Sequence, residues 1–274
     1  MLNGIRRAVG MGRRLGGDPT AGELIYAVGD VHGRYDLLKE LLALILEDWT
    51  ARDPDRRPLL IFCGDYVDRG PDSAAVLEAL VWLQQRGDIQ ARFLKGNHEA
   101  ALMGFLANPT DCASWQRFGG VETLRSYGVE PPAPDDADAC FRARDLLLHR
   151  MPTSHVYFLE RLELMLVAGD YAFVHAGVQP GIDLKSQREE DLLWIRQAFL
   201  EDDGPFEKII VHGHSWTGDK PQILPHRIGI DTGAFATGVL TAVRLDGEEM
   251  GLLQTSTGDW LHAGNVFQTG PAAY

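Results

Sequence analysis

Three short polar motifs, each directly after an apolar run, constrain this chain more than any other feature. The apolar runs cover residues 24–28, 59–63 and 89–94 and are too short for helices of their own, so they predict β-strands. The motifs that follow are Gly29-Asp30-Val31-His32-Gly33, Gly64-Asp65-Tyr66-Val67-Asp68-Arg69-Gly70 and Gly96-Asn97-His98-Glu99. Because α/β sheets place their sites beyond the carboxyl ends of the strands, we expect these polar side chains to meet at one edge.

Two later apolar runs also end on a histidine beside a glycine. They lead into His175-Ala176-Gly177 and His212-Gly213-His214. Carboxylate, imidazole and carboxamide groups that converge from separate strands are ligands for a hard or borderline divalent cation. The flanking glycines let the backbone turn sharply and approach a ligand closely. The motifs therefore indicate a metal site.

The composition is that of an ordinary soluble globular chain. Its 274 residues are 45% hydrophobic and 24% charged, which fits one large α/β domain or two small ones. The formal net charge of −13 disfavours nucleic acid as a partner. No apolar run approaches the roughly 18 to 20 residues of a membrane span. The three cysteines form neither a disulfide framework nor a zinc-ligand spacing, so we expect a reduced, cytoplasmic setting.

Strand and helix patterns alternate, which predicts an α/β fold with a mainly parallel sheet and helices on its faces. Apolar residues recur at helical spacing over residues 35–49 and 72–85, and Asp72 is placed to cap the second helix. We expect a further helix over residues 189–200. The closely spaced strands between residues 227 and 254, with a hairpin at residues 245–248, predict a second sheet in the second half.

The predicted domain organisation is a basic arm followed by a single domain. Residues 1–20 hold two arginine pairs among glycines and no apolar segment, so we expect a disordered arm and no secretory signal. Residues 21–274 are expected to form one domain. Within it, residues 100–160 turn to an irregular helical pattern, which we interpret as an insertion beside the site because it is too small for a core of its own.

The five motifs, in this order and each at the end of a strand, resemble those of the calcineurin-like metallophosphoesterases. Within that family they are similar to the bacterial branch of the phosphoprotein phosphatases, the serine/threonine protein phosphatases. The resemblance covers about residues 24–245 and implies a two-sheet sandwich flanked by helices. It also implies two divalent metal ions, with manganese the usual activator in assays. Mixed oxygen and nitrogen ligation admits iron or zinc as well.

The resemblance implies a metal-ligand role for six motif residues. They are Asp30 and His32 for the first ion, Asp65 as the bridging carboxylate, and Asn97, His175 and His214 for the second ion. A hydroxide that bridges the two ions would then attack phosphorus directly, without a protein nucleophile. We expect His212 to be a packing residue or a support for a ligand, because Trp216 stands where a further histidine ligand would lie.

Four more residues are implied to act on the phosphoryl group. They are His98 as the general acid, Asp68 as the residue that orients its imidazole, and Arg69 and Arg196 as phosphate clamps. Protonation of a poor leaving group is worth about 10² to 10⁴ in rate, and guanidinium groups bind phosphoryl oxygens in a bidentate manner. We interpret Glu99 as a support for its loop and Asp231 as a structural residue.

The sequence leaves three functions open. The first is a phosphomonoesterase that acts on phosphoserine, phosphothreonine or phosphotyrosine in proteins or peptides. Retention of Asp68-Arg69 and the net charge of −13 favour it. The alternative is a hydrolase of dinucleoside polyphosphates such as diadenosine tetraphosphate. Hydrolases of this kind share most of the motifs but tend to have a different residue at the position of Asp68. The third is a catalytically weak module that only binds phosphoproteins, which the complete ligand set disfavours. None of the three involves nucleic acid or a membrane.

Overall fold

The structure is a computed structural model that describes residues 18–133 and 135–255. Its strands in chain order are β1 (Leu24–Val28), β2 (Leu59–Phe62), β3 (Gln90–Phe93), β4 (Met165–Ala168), β5 (Tyr171–Val174), β6 (Ile209–His212), β7 (Gln222–Ile223), β8 (Arg227–Gly229), β9 (Thr241–Asp246) and β10 (Glu249–Gln254). The α-helices are α1 (Tyr35–Arg52), α2 (Ser73–Gln84), α3 (Asn97–Ala107), α4 (Cys112–Trp115), α5 (Val121–Ser126), α6 (Ala137–Arg150), α7 (Thr153–Leu159), α8 (Glu189–Trp194), α9 (Gln197–Leu200) and α10 (Ala234–Thr237). A π-helical segment, Gln116–Gly120, joins α4 to α5.

The strands form two five-stranded mixed sheets. The first has the order β10-β9-β1-β2-β3, with β1, β2 and β3 parallel and the β9–β10 hairpin antiparallel to them. The second has the order β4-β5-β6-β8-β7, with a parallel centre formed by β5, β6 and β8. This arrangement confirms the expected two-sheet α/β architecture with flanking helices.

The alternation of side chains along β1 explains how the two sheets pack. Ile25 and Ala27 point into an apolar cluster that also contains Phe173 and Val211 of the second sheet. Leu24, Tyr26 and Val28 point the other way, into a cluster shared with α1 and α2. Because successive strand residues face opposite sides, one short apolar run contributes to both layers. A third cluster covers the outer face of the second sheet, where α8 and α9 pack.

The structure corrects three local expectations. The hairpin of β9 and β10 joins the first sheet instead of building the second, because β9 pairs antiparallel with β1. In this pairing Leu24 lies opposite Asp246. The helix expected over residues 189–200 is divided into α8 and α9, since Arg196 between them has non-helical φ and ψ of −132° and −101°. Asp72 precedes α2, but its side chain makes no capping hydrogen bond.

The segment expected to be a helical insertion is helical throughout most of its length. Its buried side chains, including Leu124, Leu147 and Phe158, belong to the same apolar cluster as those of α1 and α2. Near the start of the described residues, Thr20 is buried and its hydroxyl accepts a hydrogen bond from the Gly247 amide at 3.1 Å. The rest of the expected basic arm, residues 1–17, lies outside the described residues. No helix among the residues described is long and apolar enough to cross a bilayer.

Candidate metal centre

The six expected metal ligands lie together at the carboxyl ends of the central strands of both sheets. All of them are buried: Asp30, His32, Asp65, Asn97, His175 and His214. They follow β1, β2, β3, β5 and β6, so two sheets contribute to one site. The loops between strand and helix bring together residues that are far apart in the chain, such as Asp30 and His214, whose amide donates to Asp30 Oδ2 at 2.9 Å.

Asp65 lies between two groups of nitrogen atoms. Its Oδ2 is 3.5 Å from His32 Nε2, and its Oδ1 is 3.4 Å from His175 Nε2. Two groups of side chains have their potential ligand atoms within 4.8 Å of one another: His32, Asp65 and His98, and Asp65, His175 and His214. Asp65 is common to both groups. A carboxylate in this position can contribute one oxygen to each of two cations.

Asn97 completes the second of these groups. Its Oδ1 lies 2.9 Å from His175 Nε2 and 3.0 Å from His214 Nδ1. On the other side, the buried Asp30 Oδ1 and His214 Nε2 have no hydrogen-bond partner among the described residues. Burial and then the nearby Asp231 and Asp65 raise the pKa of Asp30 well above its usual value. Buried acceptors that lack partners are the atoms that a bound cation would satisfy.

The imidazoles of His32 and His175 are each held in the tautomer that a metal requires. His32 Nδ1 lies 3.0 Å from the Val67 carbonyl oxygen, and His175 Nδ1 lies 2.8 Å from the Cys63 carbonyl oxygen. A carbonyl only accepts, so each Nδ1 donates and each Nε2 is left with its lone pair. This is the usual orientation of histidine ligands. The donor set therefore fits two divalent cations of the manganese, iron or zinc type.

The backbone is strained at the same loops. Five of the site residues have positive φ although none is glycine: His32, Asp65, Asp68, Arg69 and His214. Such residues cost on the order of 1 to 3 kcal/mol each and occur where the surrounding structure holds them in place. Gly96 contributes to this support, because a Cβ there would lie 2.1 Å from Asp65 Oδ1.

Glu99 holds the loop that carries Asp65. Its carboxylate accepts hydrogen bonds from the amides of Asp65 at 2.8 Å, Tyr66 at 2.7 Å and Gly96 at 2.9 Å. Burial and then the charge of Asp65 raise the pKa of Glu99 to about 7. This agrees with the interpretation of Glu99 as a support for its loop.

His98 and Asp68 form the pair expected from the sequence. His98 Nδ1 lies 2.8 Å from Asp68 Oδ2, so the imidazole donates to the carboxylate. His98 Nε2 is buried, has no hydrogen-bond partner among the described residues, and lies 3.9 Å from Asp65 Oδ2. Burial lowers the pKa of His98, but Asp65 and Asp68 outweigh it and raise the pKa above its usual value. This nitrogen can therefore carry a proton at the edge of the metal centre.

The insertion supplies two residues that sequence patterns did not identify. Trp115 Nε1 donates to Asp68 Oδ2 at 3.1 Å, and the Thr123 hydroxyl donates to Asp68 Oδ1 at 2.6 Å. The Thr123 hydroxyl oxygen also accepts from the Asp68 amide at 2.9 Å. Both residues lie in a segment whose local pattern is simply helical, so nothing in the sequence marked them as partners of Asp68.

Arg69 is half-buried and Arg196 is exposed, unlike the buried expected ligands. The Arg69 guanidinium lies over the Phe235 ring, 4.6 Å from its centroid. Partial burial and then the charge of Arg69 lower the pKa of Arg196. The two guanidinium groups therefore share one electrostatic environment. Asp231 is buried beside them and accepts from the Gly233 amide at 2.9 Å, and burial raises its pKa to about 6.

His212 is buried, and it belongs to neither of the two groups of potential ligand atoms. Its Nδ1 lies 2.9 Å from the Gly213 carbonyl oxygen, and its ring meets the Phe199 ring edge to face at 5.0 Å. Burial lowers its pKa to about 3, so the ring is neutral. The packing role expected from the sequence fits these contacts.

Two curated proteins are similar to this chain over most of its length. The symmetrical bis(5'-nucleosyl)-tetraphosphatase of Methylococcus capsulatus is 30% identical over 227 residues, 80% of this chain, and this chain covers 65% of that protein. The asymmetrical bis(5'-nucleosyl)-tetraphosphatase PrpE of Oceanobacillus iheyensis is 26% identical over 238 residues, which is 81% of this chain and 88% of that protein.

Solved structures show the same fold at lower identity. A crystal structure of a protein provisionally named a diadenosine tetraphosphatase aligns with 88% of this chain and 97% of its own, with a TM-score of 0.56 and 21% identity. A variant of a cold-active protein tyrosine phosphatase aligns with 85% of this chain and 80% of its own, with a TM-score of 0.52 and 17% identity.

The family comparison covers the whole candidate centre. The sequence pattern of the calcineurin-like phosphoesterases matches residues 24–228, a range that contains all six expected ligands as well as His98 and both arginines. That family uses a centre of two divalent metal ions, which agrees with the two side-chain groups that share Asp65. The chain therefore belongs to the calcineurin-like phosphoesterases, a family of metal-dependent hydrolases.

Proposed function

We propose that this chain hydrolyses dinucleoside polyphosphates, with diadenosine tetraphosphate as the reference substrate. The observation that carries the proposal is the similarity to two curated enzymes that are both named bis(5'-nucleosyl)-tetraphosphatases. The second of these matches over 88% of its own length, so the similarity extends well beyond the metal motifs. This similarity favours the alternative over the protein phosphatase that the Asp68-Arg69 motif favoured.

The net charge of −13 does not oppose an anionic substrate at this site. Net charge describes the field of the whole molecule, whereas a substrate in a cleft responds to the nearest charges. Here Arg69 lies close enough to Arg196 for its charge, after burial, to lower the pKa of Arg196. Bound divalent ions would add larger positive charges. The local field therefore suits a phosphate chain although the exterior is acidic.

The proposed roles are those that the family resemblance implies, and the geometry of the centre supports them. Asp30 and His32 would hold one cation, Asn97, His175 and His214 would hold the other, and Asp65 would contribute to both sites. When bound, such a pair of cations activates water and stabilises the charge that develops in an in-line displacement at phosphorus. The burial of the ligands and the left-handed backbone at several of them hold these groups in place before substrate arrives.

The remaining polar residues act on the substrate itself. Arg69 and Arg196 bind phosphoryl oxygens, for which the planar guanidinium is well suited. His98 donates the proton on Nε2 to the departing oxygen, and Asp68 orients the imidazole through the 2.8 Å hydrogen bond to Nδ1. Trp115 and Thr123 in turn fix Asp68.

The test is a comparison of kcat/KM at one manganese concentration on three substrates. They are diadenosine tetraphosphate, a phosphothreonine peptide and a bis-aryl phosphodiester. We expect the dinucleotide to be preferred by about tenfold or more, a difference of about 1.4 kcal/mol in transition-state binding. Product analysis then identifies the bond that is cleaved, because ADP alone indicates symmetrical cleavage and ATP with AMP indicates asymmetrical cleavage. A preference for the phosphopeptide would overturn the proposal.

A second candidate, a phosphoprotein phosphatase, is favoured by one specific observation. Asp68 and His98 form a well-positioned acid pair, and such a pair is of most use when the leaving group is a serine or threonine alkoxide. A phosphoanhydride releases a more acidic group, which needs a proton less. The same three-substrate comparison decides between the two candidates.

A further inference from the structure

An aromatic cavity adjoins the metal centre on the side of His98. Its volume is about 340 Å³, and its walls come from α3, the following segment up to Phe118, and α8. The aromatic lining residues are Phe105, Trp115, Phe118 and Trp194. Cavities of this size with apolar, aromatic walls are typical of sites for small organic ligands.

Phe118 is held in a defined position between the metal centre and this cavity. The next residue, Gly119, has a φ of 106° and lies so close to Arg69 that a Cβ would be 2.6 Å from the Arg69 amide nitrogen. The Arg69 amide donates to the Gly119 carbonyl at 3.2 Å. A Cβ on Gly120 would lie 2.4 Å from the Trp115 ring. These close contacts fix the backbone directly after Phe118, which lines the cavity.

The cavity lies on the side of the proposed proton donor. The Phe118 ring centroid is 6.1 Å from that of His98, the proposed proton donor to the leaving oxygen, and the rings meet edge to face. On its other side Phe118 is 6.1 Å from the Trp194 ring. Phe118 and Trp194 remain 37% and 41% exposed, so both offer free aromatic surface. A group bound to the departing oxygen would therefore extend over these rings.

The charges of the lining residues select a neutral group. Among the described residues, the lining includes no lysine, arginine or histidine, and its one ionisable residue is Asp111. A phosphate would be repelled by Asp111 and would find no cation there. Asn108 and Ser114 add polar atoms at the wall, which can bond to the edge of a heterocycle. A flat, uncharged heterocycle fits this combination of surfaces.

We propose that the cavity binds the nucleobase of the leaving nucleotide, which stacks on one of the two tilted rings, Phe118 and Trp194, and contacts the other at its edge. This inference rests on the proposed function, because it assigns the base of the same dinucleotide substrate. It makes Phe118 and Trp194 specificity-determining residues: the arginines and cations bind the phosphate chain, and the aromatic pair distinguishes a nucleotide from a bare polyphosphate. Base–aromatic stacking is strong enough to produce this selectivity.

The experiment compares substrates with and without a base in four variants. Phe118→Leu removes the aromatic face but keeps an apolar side chain, Trp194→Leu does the same on the other wall, and Phe118→Tyr restores the ring. Phe141→Ala serves as the control, because Phe141 is 40% exposed in α6 and does not line the cavity. KM and kcat are measured with diadenosine tetraphosphate and with inorganic tetraphosphate. Kd is measured by calorimetry with a methylene-bridged analogue of the dinucleotide.

We expect both leucine variants to raise KM and Kd for the dinucleotide and its analogue by about 10-fold or more. The KM and kcat for inorganic tetraphosphate, the metal content and the circular dichroism spectrum of the leucine variants should equal those of the wild type. Phe118→Tyr and Phe141→Ala should behave as wild type with both substrates. Equal losses with and without the base, or no loss with either, would overturn the inference.

The outcome is separable from that of the proposed function. If wild-type protein does not cleave the dinucleotide, the proposed function fails, but the analogue still tests the cavity through its Kd. Base-dependent affinity that Phe118→Leu removes would then support a base-binding cavity. An analogue that binds no better than tetraphosphate would overturn it.

Discussion

Asp65 shows how much of this centre depends on a single side chain. It is buried, its backbone has a φ of 51°, and its two oxygens face histidines on opposite sides. Burial alone would raise the pKa of Asp65, but His175 and the other surrounding histidines lower it below its usual value. The carboxylate is therefore charged and ready to share its oxygens between two cations.

Replacing Asp65 with asparagine should weaken the binding of the two expected cations. Asp65→Asn keeps the size of the side chain but removes its charge and one acceptor oxygen, so we expect the metal content to fall below two ions per chain. Loss of a residue that only hydrogen-bonds to a metal ligand costs roughly 10- to 100-fold in activity. We expect Asp65→Asn to lose more activity than that. Metal analysis by mass spectrometry checks this, with Asp72→Asn at an exposed position nearby as the control. Full occupancy by two ions in Asp65→Asn would contradict the bridging role.

His98 allows a prediction about leaving groups. If Nε2 donates a proton to the departing oxygen, His98→Asn should reduce kcat by about 10² to 10⁴ for a phosphoserine peptide. The loss should be much smaller for 4-nitrophenyl phosphate and for diadenosine tetraphosphate, whose leaving groups are already stable as anions. The measurement is kcat across this series. A uniform loss across all three substrates would mean that His98 acts in binding or structure.

At the scale of elements, the π-helical segment Gln116–Gly120 connects the insertion to the catalytic loops. It packs Gly119 against Arg69, and on either side of it Trp115 and Thr123 hydrogen-bond to Asp68. The insertion therefore forms part of the wall of the candidate site as well as part of the core. Its geometry depends on a residue that can adopt positive φ at position 119.

Two glycine substitutions test this dependence. Gly119→Ala introduces a Cβ 2.6 Å from the Arg69 amide at a φ of 106°, so it should cost at least about 1–2 kcal/mol of unfolding free energy. Gly104→Ala, inside α3 with nothing within 4 Å of its Cβ, should be neutral or stabilise by up to about 1 kcal/mol. Urea unfolding of both variants provides the comparison. Equal stabilities would show that the segment adapts without strain.

At the scale of the whole molecule, the β9–β10 hairpin closes the first sheet beside β1. A buried ion pair fixes this closure: Arg244 Nη1 donates to both oxygens of Asp48, at 3.0 and 3.1 Å, and the Tyr26 hydroxyl donates to the same carboxylate at 2.8 Å. The pair joins α1 to β9 across nearly the full length of the described chain. It also places a charge in the core that needs its partner.

Removal of that partner should destabilise the protein. Arg244→Met leaves Asp48 with only Tyr26 and a longer contact from Arg52, so we expect a loss of about 3 kcal/mol of unfolding free energy. The control is Arg86→Met, which breaks an exposed pair with Asp88 and should leave stability nearly unchanged. Thermal unfolding resolves this difference. Similar losses in the two variants would show that the buried pair has no special role in closure.

The sequence by itself determined the central strands and the residues at their ends. Runs such as residues 24–28 are fully apolar because both faces of β1 are covered, and the glycine-rich turns after them mark where the polar groups emerge. Local pattern is enough for this, since a strand's end and the residues that follow it are neighbours in the chain. Nine of the ten residues expected at the site directly follow one of these strands, whereas Arg196 lies between α8 and α9.

Only the tertiary structure decided which distant segments complete the site. The hairpin of β9 and β10 has the same local pattern in either sheet, and its place is set by pairing with β1. Trp115, Thr123 and Phe118 carry no local signal for catalysis, because their importance lies in contacts with Asp68 and His98. Such contacts join residues 20 to 55 positions apart. Their energies depend on packing in three dimensions, which the periodicity of a single segment does not encode.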